Sequence, residues 1–273
     1  MTEQSYTADE VRKRDYDRWL ATLFAPAPAR EGIYALLAFN GEIAGIRETV
    51  SEALLGDIRL QWWRDAVTNI AANGTPPAHP VARSLAETAR TYRLDPALLQ
   101  ALIDARSADL DPAPFTTFTD LHGYAETTGG LLNQLCQQVA APETAAEAAA
   151  RQAGTAYALT GIIRAIPFQR QQDLLQIPAD MLTVQQVTAD SLFREENRTA
   201  FFAITEKLAA AALGAHVAAR NAEDRLPKGE VPALRLSRLT ELYLKRLKRA
   251  GGDPAHPLMN PGRLRKIAAL IFR

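Results

Sequence analysis

Cysteine occurs once in 273 residues, at Cys136. No disulfide can close within the chain, which excludes small stapled scaffolds and fits a reducing compartment. Net charge is also missing: 31 Lys and Arg oppose 31 Asp and Glu, at a sequence pI near 6.9. Such a balance gives no global pull toward nucleic acid. Histidine is scarce, and His79, His122, His216 and His256 stand too far apart for metal-ligand spacing. Long hydrophobic runs are lacking too. The longest, Leu208 to Ala219, is interrupted by His216 and falls short of the roughly 20 residues that cross a bilayer. The opening stretch MTEQSYTADEVRKRDYDRWL is too polar and acidic for a signal peptide. No Walker loop, dinucleotide fingerprint or nucleophile elbow is present.

What is there is helix. The chain is 47% hydrophobic, enough for a substantial core. Ala and Leu dominate, without sustained apolar and polar alternation, so the expectation is an all-α protein, one domain over residues 1–273. Prolines mark boundaries at Pro26 and Pro28, Pro76 to Pro80, Pro96, Pro112 and Pro114, Pro142, Pro167, Pro178, the Leu226 to Pro232 connection, and Pro254 to Pro261. Thr7 with Glu10 and Thr183 with Gln186 read as capping boxes. Asp95-Pro96 and Asn260-Pro261 read as a cap followed by proline at the first helical position. Ile33, Leu36, Leu37, Ile43, Ala44, Ile46 and Val50 form a stripe on a helix expected from Glu31 to Val50. Charge is uneven along the chain. Residues 235–273 carry ten Lys and Arg against Glu241 and Asp253, a local +8 on a body of −8. That basic helical tail suits a surface or partner contact, or a solvated helix face.

Few side-chain groupings suggest chemistry. Glu42 and Glu48 lie six positions apart, about 120° around a helix, so they share no site and read as ion-paired or solvated. In DIRLQWWRDAV, adjacent Trp62 and Trp63 cannot face the same way, so one enters the core and the other a groove or interface. Arg59 and Arg64 beside them are a surface pair or a phosphate fork. In GYAETTGGLLNQL, Gly129 and Gly130 cost about 2 kcal/mol together in a helix, which points to close packing or to room for a ligand. Cys136 has no activating neighbour and reads as a small core residue.

Several blocks together resemble the squalene/phytoene synthase family, from about Arg14 to the Leu247 region. RDYDRWLATLFAPAPAREGIYALLAFNGEIAGIRE resembles the N-terminal region and first motif. GYAETTGGLL resembles a later Tyr-containing segment, and LTGIIRAIPFQRQQDLLQIP, Leu159 to Pro178, resembles the second motif. The resemblance implies a single-domain, terpenoid-synthase-like helical bundle around a central cavity. Active members hold Mg²⁺ with two aspartate-rich motifs and ionise an allylic diphosphate. Here the first motif's positions carry Ala44, Gly45 and Arg47, with Glu48 alone acidic, and the second carries Ala165 and Gln169. Asp173 follows too late to substitute, and Gln176 replaces the family's tyrosine before the closing Leu-Pro.

AFNGEIA, Ala38 to Ala44, and the LQWWRDAV block are similar to a branch that includes a mitochondrial assembly factor for respiratory complex I. The expectation is a non-catalytic assembly or lipid-handling factor at a membrane face. It would be cytoplasmic or peripheral on the inner membrane, with no resident cofactor or metal. Its partners would be a membrane surface or respiratory-complex subunit, an isoprenoid or lipid ligand, and no nucleic acid. The alternative is an active head-to-head prenyl transferase, which alone would require Mg²⁺. A third reading is a plain isoprenoid- or lipid-binding module. Candidate cavity residues are Tyr34, Phe39, Asn40, Tyr124, Asn133 and Arg164.

Overall fold

The computed structural model describes residues 5–113, 115–141, 146–171, 174–223, 225 and 235–272. Pro114, Pro142, Asp173, the Leu226 to Pro232 connection and the last residue of the basic tail lie outside them. Among the described residues every regular element is helical. In chain order these are α1 (Tyr6–Arg14), α2 (Tyr16–Thr22), α3 (Arg30–Ala44), α4 (Ile46–Thr49), α5 (Ala53–Ala71), α6 (Pro80–Tyr92) and α7 (Pro96–Ala105). The second half holds α8 (Phe118–Ala125), a π-helical turn (Glu126–Leu131), α9 (Leu132–Ala140), α10 (Glu147–Gln171) and α11 (Ala179–Val184). It closes with α12 (Arg198–Glu223), α13 (Leu236–Arg249) and α14 (Arg263–Ile271).

Helix α3 is buried from Gly32 to Asn40 without a break, because α1, α6 and α9 pack around it. Its neighbours in the first core cluster include Leu60 and Trp63 of α5, Leu85 of α6 and Leu102 of α7. A second cluster joins α8, α10, α11 and α12 through Leu121, Leu159, Ile163, Met181 and Leu208. Leu20, Tyr157, Leu239, Tyr243 and Leu270 form a third, which ties the C-terminal helices to α2.

Several local expectations change. The helix expected through Val50 breaks at Gly45, a weak helix former, leaving α4 as a single turn. Ser5 rather than Thr7 caps α1, accepting Ala8 N–H at 3.2 Å. Thr183 is not a cap: it sits in the last turn of α11 with its hydroxyl donating to Ala179 O, and Gln186 follows at φ 54°. Asn260 ends a 3₁₀ turn, and Gly262 precedes α14. Asp95 does cap α7, with Pro96 at its first position.

Pro167 does not end α10. The lost amide bond is offset by Ile162, Ile163 and Ile166, which lock this stretch into the second core. Residues 195–223 form 29 residues of continuous helical backbone, and an 18-residue window within them has mean hydropathy 1.3, long and apolar enough to cross a bilayer, unlike the short run inside it. In this fold Ile204, Leu208, Ala212 and Ala219 are buried and α12 packs along α10 on that face, while a third of the apolar window is buried in all and Leu213 and Val217 are exposed.

The paired glycines serve packing. A Cβ on Gly129 would strike Ala158 Cβ and come 2.7 Å from Gly154 O. A Cβ on Gly130 would sit 2.9 Å from Arg151 O. The π turn therefore lies directly against α10.

Candidate functional site

The bundle's centre is divided. An open cavity of about 870 Å³ lies beside the positions of the first motif, lined among others by Ala44, Gly45 and Glu48; Arg47 does not line it. A smaller pocket of about 210 Å³, also open to solvent, lies beside the second motif, lined by Tyr124, Gly129, Gly161, Ala165 and Gln176. Arg18 of α2 and Arg106, just beyond α7, line both cavities and stand between them.

Each arginine has its own carboxylate. Arg18 donates to Asp15 Oδ2 at 2.7 Å and lies over the Tyr157 ring. Arg106 donates to Asp109 Oδ2 at 3.2 Å, to Tyr124 Oη at 2.7 Å and to Asn40 Oδ1 at 3.0 Å. Asp109 also accepts the Tyr124 hydroxyl and Gln176 Nε2, and Gln176 Oε1 accepts Gln169 Nε2 at 2.7 Å. A continuous hydrogen-bonded chain thus runs from Gln169 on α10, through Gln176, Asp109 and Arg106, to Asn40 on α3. It crosses the gap between the two motifs. Burial pushes the Tyr124 phenol well up, so it stays a protonated donor to Asp109.

A second network closes over Asp17, a buried carboxylate on α2. Its Oδ2 accepts the Tyr157 hydroxyl at 3.2 Å and the Tyr243 hydroxyl, while its Oδ1 accepts Lys266 Nζ at 2.6 Å. Arg164 Nη1 stands 3.8 Å away, with its guanidinium stacked 3.8 Å from the Tyr243 ring centroid. Burial alone would raise the Asp17 pKa. The Lys266 and Tyr243 hydrogen bonds, with the charges of Lys266 and Arg164, outweigh it and hold the carboxyl below its usual range. Arg164, which directly precedes Ala165, is thereby committed to an internal anion.

The structure brings together Asn40, Tyr124 and Gln169 among the residues singled out from sequence, and joins Arg164 to Asp17. Tyr34 and Phe39 are core residues. Phe39 packs edge-on against Trp63 at 5.2 Å, and burial pushes the Tyr34 phenol up to about 12. Asn133 lines only a small void of about 30 Å³ and donates to Ala150 O at 2.7 Å, fastening α9 to α10. Trp63 is buried and Trp62 lies half-exposed at the open cavity's rim. Arg59 and Arg64 diverge. Arg59 reaches Thr49 at the cavity, while Arg64 pairs with Asp104 at 2.7 Å. Glu42 is ion-paired to Arg14 at 3.1 Å. Burial pushes the Cys136 thiol up to about 12, and His216 bonds Ser237 at 2.7 Å.

Asp17, Arg18, Arg106 and Asp109 escaped the sequence reading. A usable signal existed for two of them. Asp17 precedes buried Leu20 and Ala21 at helical spacing, and Arg106 continues the register of Leu99, Leu102 and Ile103. Charged residues on a core-facing register mark buried networks.

Mg²⁺ demands oxygen ligands in near-octahedral array. The motif positions supply methyl groups, a glycine, an amide, a guanidinium and a single carboxylate, Glu48, and two further guanidinium ions stand between the motifs. Among the described residues no three His, Cys, Asp or Glu side chains gather as a ligand set. These residues do not fit a magnesium–diphosphate clamp.

Comparison with known proteins agrees with this architecture. The chain is 30% identical over 253 residues to the rat protein named NADH dehydrogenase (ubiquinone) complex I, assembly factor 6, covering 92% of this chain and 76% of that one. The human protein of that name is 28% identical over the same shares. A crystal structure of a dehydrosqualene synthase with ligand superposes with TM-score 0.83 at 18% identity, covering 97% of this chain and 93% of that one. The squalene synthase HpnC from Alicyclobacillus acidocaldarius gives TM-score 0.76 at 18% identity, over 91% and 94%. The family profile described as squalene/phytoene synthase matches residues 11–266, and the chain belongs to that family.

Proposed function

We propose that this chain is a non-catalytic member of its family that acts as an assembly factor for a respiratory complex I. The observation that carries the loss of catalysis is the hydrogen-bonded chain from Gln169 to Asn40. It crosses the gap that a metal–diphosphate clamp would need and ties the two motif helices to each other. Support for the assembly role is the relatives of that name, aligned along nearly the whole chain. The prenyl-transferase alternative would need oxygen anions where Ala44, Gly45, Ala165 and Gln169 stand.

Its place is the cytoplasmic side of the inner membrane, held peripherally by the basic C-terminal helices. On α14, Leu264 is 82% exposed and Phe272, just past the helix, 71%, beside Arg263 and Arg265. Apolar side chains flanked by cations suit an anionic lipid surface, where each Lys or Arg is worth about 1 kcal/mol. An isoprenoid guest in the smaller pocket is the weaker reading, because about 210 Å³ is smaller than most ligand pockets.

The test is deletion of the gene in its native host. Assembled complex I and NADH-driven quinone reduction should fall, and the wild-type gene should restore both. Unchanged complex I would refute the assembly role.

A further inference from the structure

Helix α5 has two apolar faces, and the bundle uses one of them. Leu60, Trp63, Ala66, Val67 and Ile70 are buried. On the other side Leu54, Ile58 and Trp62 recur every fourth residue as a ridge, 66%, 57% and 41% exposed, with Leu55 beside them at 45%. Four large apolar side chains exposed on one helix is the largest such group among the described residues. Single exposed apolar residues are ordinary, but a contiguous patch marks an interaction site. Trp62 lies at the rim of the 870 Å³ cavity, whereas Leu54, Leu55 and Ile58 do not line it. The ridge therefore runs from the rim outward along the surface, over about 12 Å of helix.

The charges around this ridge are mostly negative. Glu48 and Glu52 precede it, Asp57 lies on its flank and Asp65 follows Trp62 by three positions. All four are exposed, and none has an ion pair among the described residues. Asp65 accepts only the Gln61 amide, at 2.8 Å. Fewer cations oppose them. Arg64 is spent on Asp104 at 2.7 Å, Arg59 turns to Thr49 on the cavity wall, and Arg47 is half-buried. An apolar ridge in an acidic rim repels an anionic lipid surface and attracts a cationic, apolar partner. The exposed apolar side chains around α14 sit among cations instead, so the two surfaces suit different partners. A ridge with fourth-residue spacing packs into the groove between the ridges of another helix.

We infer that this face of α5 is a docking site for a basic amphipathic helix of a partner protein. Leu54, Ile58 and Trp62 meet the apolar side of that helix, and Glu52, Asp57 and Asp65 meet its Lys and Arg residues. One helix on one ridge makes a small interface, of the transient class. The site stands independently of the assembly role.

Fluorescence anisotropy with the full chain tests it. The probe is a labelled helical peptide of about 18 residues, with Leu on one face and Lys on the other. Its control carries Glu in place of every Lys. The expected result is a Kd below about 100 μM for the Lys peptide at low salt, weakening as salt rises, and binding of the Glu peptide about tenfold or more weaker. Leu54→Ser with Ile58→Ser should abolish binding. Asp57→Lys with Asp65→Lys should reverse the preference toward the Glu peptide, which loss of apolar contact alone would not do. All four positions are exposed, and unliganded melting temperatures check that both variants are folded. No binding of the Lys peptide, equal binding of the two peptides, or unchanged binding by folded Leu54→Ser/Ile58→Ser overturns the site. Sedimentation and liposome flotation of the chain without peptide name the other occupants. Self-association that this variant loses makes the face a contact between copies, and flotation that it loses makes the face a lipid contact; either overturns the proposal.

Discussion

Replacing Asp17 by asparagine keeps the shape of the side chain and removes its charge. Tyr157 and Tyr243 can still donate to the amide oxygen. Lys266, 2.6 Å away and 14% exposed, and Arg164, 3.8 Å away and 31% exposed, lose their shared anion. Removing one partner of a buried ion pair costs about 3–5 kcal/mol, and the partial exposure of Arg164 favours the lower end, about 3 kcal/mol. For a chain of this size, 1 kcal/mol moves the melting temperature by about 2–4 °C, so Asp17→Asn should melt about 6–12 °C lower.

The pH dependence has a definite sign. The folded carboxyl titrates below its unfolded value of about 3.9, so its stabilisation is fully present above that value and is lost as pH falls through the folded pKa. The gap between wild type and Asp17→Asn should be flat from about pH 5 to 8 and close below about pH 4. Adding Lys266→Met should recover part of the loss, because the stranded ammonium is then gone. Thermal unfolding followed by circular dichroism measures all three. A loss under about 1 kcal/mol, or a gap that widens toward acid, would refute the reading of Asp17 as the anion of a buried network.

Tyr124→Phe should cost about 1–3 kcal/mol in urea unfolding, because it strips a donor from Asp109 and an acceptor from Arg106 in an enclosed site. Gly129→Ala should cost about 1–3 kcal/mol or more, since the methyl meets Ala158 and the Gly154 carbonyl; an unchanged midpoint would show that the π turn has slack. Leu264→Asp with Phe272→Asp should abolish flotation with anionic liposomes at low salt while leaving the fold intact. Equal flotation of wild type and variant would remove α14 as the contact. Ala44→Asp with Ala165→Asp should not release diphosphate from farnesyl diphosphate with Mg²⁺, because Arg18 and Arg106 still stand between the two positions.

Local signals carried the helices well where one segment settles its own fate. The all-helical class follows from composition and period. Asp95 with Pro96 starts α7 by local chemistry alone, and Trp63 and Trp62 part as adjacent helical positions must. Pro167 misled because its neighbours, not its own backbone, decide that α10 continues. Thr183 misled because a hydroxyl that can cap a helix can equally bond back to a carbonyl one turn earlier. The site was the least legible part. Asp17 meets Tyr157, Tyr243 and Lys266 at sequence separations of 140, 226 and 249 residues. Helical period shows that Asp17 and Arg106 point inward, but not what meets them there. That Ala44, Gly45, Ala165 and Gln169 carry no carboxylate is read from the sequence; the arginines and amides that stand near them required the fold.

The central claim is that internal hydrogen bonds and ion pairs have replaced the family's metal–diphosphate site. It is tested most directly by diphosphate release from farnesyl and geranylgeranyl diphosphate, with purified wild-type protein and saturating Mg²⁺, beside an active family member. The account predicts no release above the heat-denatured control. Mg²⁺-dependent release that scales with protein concentration would contradict it.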